Sequence, residues 1–280
     1  MTQIADRGFN HLAPAVAGLG GVFARPRTLA VLCVVVLTAL GWLYLALLTV
    51  GPGRPGAFEA LCRQASYEPS GVANIVLAGS MWGAMAFAMM LPSAAPMILA
   101  YTEIADTAAR KGGRIVSPFA IAAGYLTVWL GFAAAATLVQ TILIRASFAE
   151  HTPVSDFFPG ALFVGAGLYQ FSTLKHACLT QCQRPFPFFF TNWTTTPRGI
   201  FRLGFRQGLY CLGCCWAMML VMFAAGAMNV VWMSALAVAM TIEKIGVGNR
   251  VTYAIGGGLI AIGATFVLTA VAAHWPGRMI

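Results

Sequence analysis

Between Gly208 and Asn229 the chain reads GLYCLGCCWAMMLVMFAAGAMN, with three cysteines and four methionines in one apolar run. At about 100° per helical residue, Cys211, Cys214, Cys215, Met218 and Met222 fall within an arc of roughly 100°. A rise of about 1.5 Å per residue makes that sulfur stripe about 16 Å long. Thiolates and thioethers are soft ligands and suit monovalent copper, Cu(I). Either sulfur type alone is ordinary filler in a packed interior. Three cysteines within five positions, continued by methionines on the same face, point instead to metal or redox chemistry.

Two other stretches carry sulfur at helical spacing. Met81, Met85 and Met89 are spaced by four and share a face of about 80°. Pro92 and Pro96 follow, each removing a backbone donor, so this helix should kink or open. In lipid the carbonyls so freed need partners inside the bundle, or water. In Lys175-His176-Ala177-Cys178-Leu179-Thr180-Gln181-Cys182, a helix places Cys178 and Cys182 one turn apart. His176 is a further possible ligand there, and Lys175 a cation that would favour thiolate at Cys178. The candidate metal set is therefore Cys211, Cys214, Cys215, Cys178, Cys182, Met81, Met85, Met89, Met218 and Met222. No residue is assigned a catalytic role, because no nucleophile–base pair or phosphate-binding loop is present. His11, His151, His176 and His274 show no paired axial arrangement of the kind haem needs.

The elements that must position these residues are membrane helices. The 280-residue chain is 59% apolar and only 9% charged, against about 25% charged in soluble domains. Several uncharged runs are long enough to span a bilayer. The expected fold is all-α, a polytopic membrane bundle of about seven transmembrane helices. The spans are read at about 28–50, 72–101, 118–144, 157–174, 208–229, 230–245 and 251–273. In domain terms, residues 1–27 form an N-terminal cytoplasmic or interfacial segment, 28–274 a single bundle and 275–280 a C-terminal tail. Gly256-Gly257-Gly258 and the Ala/Gly-rich third span should allow close helix packing. Glu243 and Lys244 end the sixth span as an interfacial anchor, with a metal or proton role for Glu243 as the alternative.

The formal charge of +9 lies between apolar runs, so it is a topology signal and implies no nucleic-acid partner. With seven spans, 13 Lys and Arg fall in the N-terminus and even-numbered loops, and four in the odd-numbered loops and C-terminus. The positive-inside rule then puts the N-terminus in the cytoplasm and the C-terminus outside. All five candidate cysteines come to the cytoplasmic leaflet, where thiols stay reduced. If the second and fifth spans touch, methionines lead toward thiolates from the middle of the membrane.

Three motifs in order carry a resemblance. They are Met81-Trp82-x-x-Met85-x-x-x-Met89-Met90-x-Pro92; Gly167-Leu168-Tyr169-Gln170 with Lys175 and Cys178-x-x-x-Cys182; and Cys211-Leu212-Gly213-Cys214-Cys215-Trp216 with Glu243-Lys244. Over roughly residues 70 to 250 the chain resembles a family of predicted metal-binding integral membrane proteins, which includes copper-chaperone-like proteins linked to supplying bacterial tyrosinase. The resemblance implies metal handling, with copper as the metal.

The expected function is that of a copper-binding membrane protein, a chaperone or transporter without catalysis, in a bacterial inner membrane. Its partners would be the lipid bilayer and a copper-receiving client enzyme or a soluble metallochaperone. The alternative is a membrane thiol–disulfide oxidoreductase using Cys211 and Cys214. An exchanger of that kind has no need of the five methionines.

Overall fold

A computed structural model of the chain describes residues 26–49, 72–112, 116–149, 154–225, 230–246 and 248–274. Residues 1–25 of the expected N-terminal segment, His11, His151, the turn at Asn229 and the C-terminal tail lie outside the described residues. Those described are helical and include no strand. In chain order the helices are α1 (Pro26–Thr49), α2 (Val72–Met85), a π-helical turn (Ala86–Met90), α3 (Leu91–Arg110), α4 (Pro118–Ala149), α5 (Val154–Tyr169), α6 (Thr173–Gln183), α7 (Pro185–Asn192), α8 (Pro197–Ala225), α9 (Val230–Ile245) and α10 (Arg250–His274).

Five helical segments are long and apolar enough to cross a membrane: Thr28–Leu47, Ile75–Ala108, Pro118–Ile142, Pro197–Ala224 and Arg250–Ala272. The expected fourth and sixth spans are shorter. The fourth ends at Tyr169 with α5, because Ser172 caps a new helix by accepting from the Lys175 amide. The sixth, α9, has 16 residues. The fifth begins earlier than expected, so Arg198, Arg202 and Arg206 lie on the first turns of α8.

Glycines set the helix spacing. A Cβ at Gly124 of α4 would collide with the carbonyl of Phe201, and one at Gly204 of α8 with that of Ile121. These two backbones are in contact, as small residues allow within a membrane bundle. Gly160, Gly167, Gly256 and Gly263 do the same between α5 and α10. Of the Gly256–Gly258 run only Gly256 packs in this way; Gly257 and Gly258 face open space. Away from these contacts, α1 turns Val35, Leu40, Leu43 and Leu47 outward, an apolar surface suited to lipid.

The second span carries the irregularity its prolines demand. Pro92 has no N–H for the Ala88 carbonyl one turn back; the Trp42 indole donates to that carbonyl at 3.1 Å instead. The Met90 carbonyl accepts from Ser93 Oγ at 2.7 Å and Tyr125 OH at 3.0 Å. The acceptor freed by Pro92 is thus satisfied within the bundle, and the Met90 carbonyl gains two side-chain donors. The π turn inserts a residue into the helical register; the consecutive Met89 and Met90 are both buried, as are Met81 and Met85.

Candidate metal centre

Helix α8 brings Cys211, Cys214 and Cys215 into the interior, each no more than 2% exposed. The short helix α6 runs beside it and adds Cys182. The sulfurs of Cys182, Cys211 and Cys214 all lie within 4.8 Å of one another, with Cys182 and Cys214 4.0 Å apart. Thiolates around a shared metal at bonds of about 2.3 Å sit about 4 Å from each other in a trigonal plane. The separations therefore fit a single ion held by three sulfurs from two helices. The group contains neither imidazole nor carboxylate, and an all-sulfur set favours a soft metal.

The remaining candidates are placed differently. Cys215 lies 3.2 Å from Cys214 but outside the three-sulfur group, as expected for neighbours about 100° apart on a helix. Cys178 approaches α8 at Gly213, where a Cβ would meet its sulfur at 2.6 Å; only glycine leaves that sulfur room. The Cys178–Cys182 pair is thus divided, one sulfur joining the cluster and one standing at Gly213. The His176 ring packs edge-on against Tyr253, with centroids 5.4 Å apart, away from the sulfur group.

Met81, Met85, Met89, Met218 and Met222 are all buried. Met89 lines a groove of about 300 Å³ with Trp42, Pro92, Ser234 and Thr241. The Met218 sulfur faces the Lys175 ammonium at 3.8 Å. The second and fifth spans do meet, since the rings of Trp82 and Phe223 lie 5.0 Å apart.

Two features of the centre are not visible as motifs. Lys244 donates to Cys211 Sγ at 3.0 Å and to Ser93 Oγ at 2.8 Å. The Tyr125 hydroxyl is 3.0 Å from the same sulfur and also bonds the Met90 carbonyl. Through Ser93 and Tyr125, the irregular turn of the second span is therefore wired to the thiols of the fifth. Glu243, read as an interfacial anchor, is instead buried and pairs with Lys175 at 2.8 Å, both side chains no more than 1% exposed. Gln183 of α6 fixes the end of α9 by donating to the carbonyls of Glu243 and Gly246. Lys175 is consequently committed to Glu243 and Met218, and not to Cys178.

A family model for a copper chaperone, PpoB2, matches residues 79–266. The match spans from the second helix to the last and includes every candidate ligand. No curated protein and no solved structure matches the chain. The chain belongs to the PpoB2 copper chaperone family.

Proposed function

We propose that this member of a copper chaperone family is an integral membrane protein that receives Cu(I) at Cys182, Cys211 and Cys214 and passes it to a client. The observation that carries the reading is the meeting of three sulfurs from α6 and α8 within 4.8 Å. Copper is the cargo, so the protein needs no catalytic residue. Thiol–disulfide exchange turns on a pair of sulfurs; the convergence of a third, brought by Cys182 from a separate helix, favours metal over exchange.

In the same reading, Met81, Met85 and Met89 offer weak neutral ligands in mid-membrane, and the thiols are the tight station. Cys215 and Cys178 flank that station as exchange partners. A charged ion within a bilayer is costly without partners, and the buried thioethers reduce that cost along the way. Met218 and Met222 extend the sulfur stripe, Met218 being shared with Lys175. Seven spans, with α5–α6 and α9 completing the bundle, place the N-terminus in the cytoplasm and the C-terminus outside a bacterial inner membrane. Setting aside Lys175 and Lys244, which are engaged inside the protein, the charge bias behind that orientation keeps its sign. The client is a copper-receiving enzyme or a soluble metallochaperone.

The test is copper binding by purified full-length protein under reducing conditions, with chelator competition. Replacing Cys182, Cys211 and Cys214 together by serine should abolish chelator-resistant Cu(I). Unchanged stoichiometry would sink the assignment, and zinc held in preference to copper would keep the site but change its cargo.

A further inference from the structure

The Ser93 hydroxyl and the thiols of α8 meet at Lys244, which stands in the third sequence motif without a role assigned to it. The Lys244 ammonium is bonded to a hydroxyl and to a thiol sulfur. The one acid nearby in sequence, Glu243, is taken by Lys175. Among the described residues no carboxylate pairs with Lys244. Its positive charge is therefore compensated only by the sulfur group it touches, and the sulfur group has a cation built in beside it.

That arrangement has a consequence for any metal held there. The ammonium is 3.0 Å from Cys211 Sγ, so an ion bonded to that sulfur at about 2.3 Å lies no more than about 5.3 Å from a fixed positive charge. Coulomb repulsion scales with the charge of the incoming ion, and a dication meets twice the repulsion of a monocation at the same distance. The interior of a bundle screens such a pair poorly. The difference persists whichever number of thiolates bind, because the thiolates are common to both metals and the added repulsion is not.

We propose that Lys244 is a specificity-determining residue that biases the Cys182–Cys211–Cys214 site toward monovalent over divalent soft metals. It acts by fixed charge beside the cluster, and not as a ligand. Ser93 and Tyr125 position it and its sulfur: Ser93 Oγ accepts from the ammonium at 2.8 Å and Tyr125 OH lies 3.2 Å from that oxygen. This inference rests on the proposed thiol site, and it assigns the site's valence preference to one side chain.

The experiment is a paired titration of full-length protein in detergent with Ag(I), as a redox-inert monocation, and with Zn(II) and Cd(II). The quantity read is the ratio of monovalent to divalent affinity in wild type, Lys244→Met, Lys244→Gln and Lys244→Arg. Both neutral variants should lower the ratio at least tenfold, and Lys244→Arg should keep it within about threefold of wild type. Circular dichroism and gel filtration identify which neutral variant is folded, and either one suffices. A folded neutral variant with an unchanged ratio overturns the proposal, as does an equal fall in Lys244→Arg. Failure of wild type to bind Ag(I) through the three cysteines would instead overturn the thiol site itself. A wild type that binds Ag(I) there while Lys244→Met keeps its ratio removes only the role of Lys244.

Discussion

Lys175 and Lys244 each bring an ammonium to a sulfur of α8, and they are neutralised in opposite ways. Lys175 meets a thioether, Met218, and is paired with the Glu243 carboxylate; both charged side chains are sealed from solvent. Lys244 meets a thiol, Cys211, and has only the Ser93 hydroxyl besides. A thioether cannot become an anion, so the lysine beside it needs a separate counter-charge. A thiol can ionise, so the lysine beside it can share its charge with the sulfur. The first pair is a structural clamp joining α6 to α9. The second leaves a cation facing a ligand cluster. Adjacent positions on α9, Glu243 and Lys244, thus serve two different jobs because they point about 100° apart.

The largest expected effect breaks the clamp. Glu243→Gln leaves the Lys175 charge buried and uncompensated, and should destabilise the protein by about 3–5 kcal/mol, measured by denaturant unfolding in detergent. Replacing both residues, Lys175→Met with Glu243→Met, should recover most of that loss. A single variant as stable as wild type would show that the pair is not buried as a clamp. Lys244→Met removes a cation that has no carboxylate to orphan, so its loss should be smaller, under about 2 kcal/mol in the same assay. Equal losses at the two lysines would erase the contrast.

Smaller still is Tyr125→Phe. The hydroxyl leaves the Met90 carbonyl, which Ser93 still serves, so about 1 kcal/mol is expected. The same variant should weaken Cu(I) binding at the thiols, because Cys211 loses a positioning partner; unaltered affinity would uncouple the π turn from the cluster. Replacing Met81, Met85 and Met89 by leucine keeps volume and apolarity, so each change should cost under about 1.5 kcal/mol. Copper movement into vesicles or to a client enzyme should fall in that variant while copper at the cysteines persists. Normal delivery would make these methionines packing residues.

Much of the frame is legible in the residues. The apolar runs read as seven spans, five of which overlap helical segments able to cross a membrane, and the prolines at 92 and 96 announce that carbonyls will need other donors. The identity of the donor at Ala88, Trp42, is not announced, because an indole in an apolar helix reads as packing. Ser93 and Tyr125 are hidden for the same reason. The break after Tyr169 is carried by a single serine cap, a weak signal inside an apolar stretch. Glu243-Lys244 reads as an interfacial anchor because a charged dipeptide at a span end usually is one; nothing along the chain says that the glutamate will find Lys175.

By itself the sequence determined that this is a helical, sulfur-rich membrane chain with a Cys/Met face on one helix, because hydropathy and helical period are local properties. Only the tertiary structure decided that Cys182 joins Cys211 and Cys214 while Cys178 rests against Gly213, and that Lys175 is neutralised by carboxylate while Lys244 is left to the thiols. Those outcomes depend on how α6, α8 and α9 dock, and docking is set by backbone contacts such as Gly213 against Cys178 and by the hold of Gln183 on the end of α9. Such contacts join residues tens of positions apart, and local spacing carries no information about them.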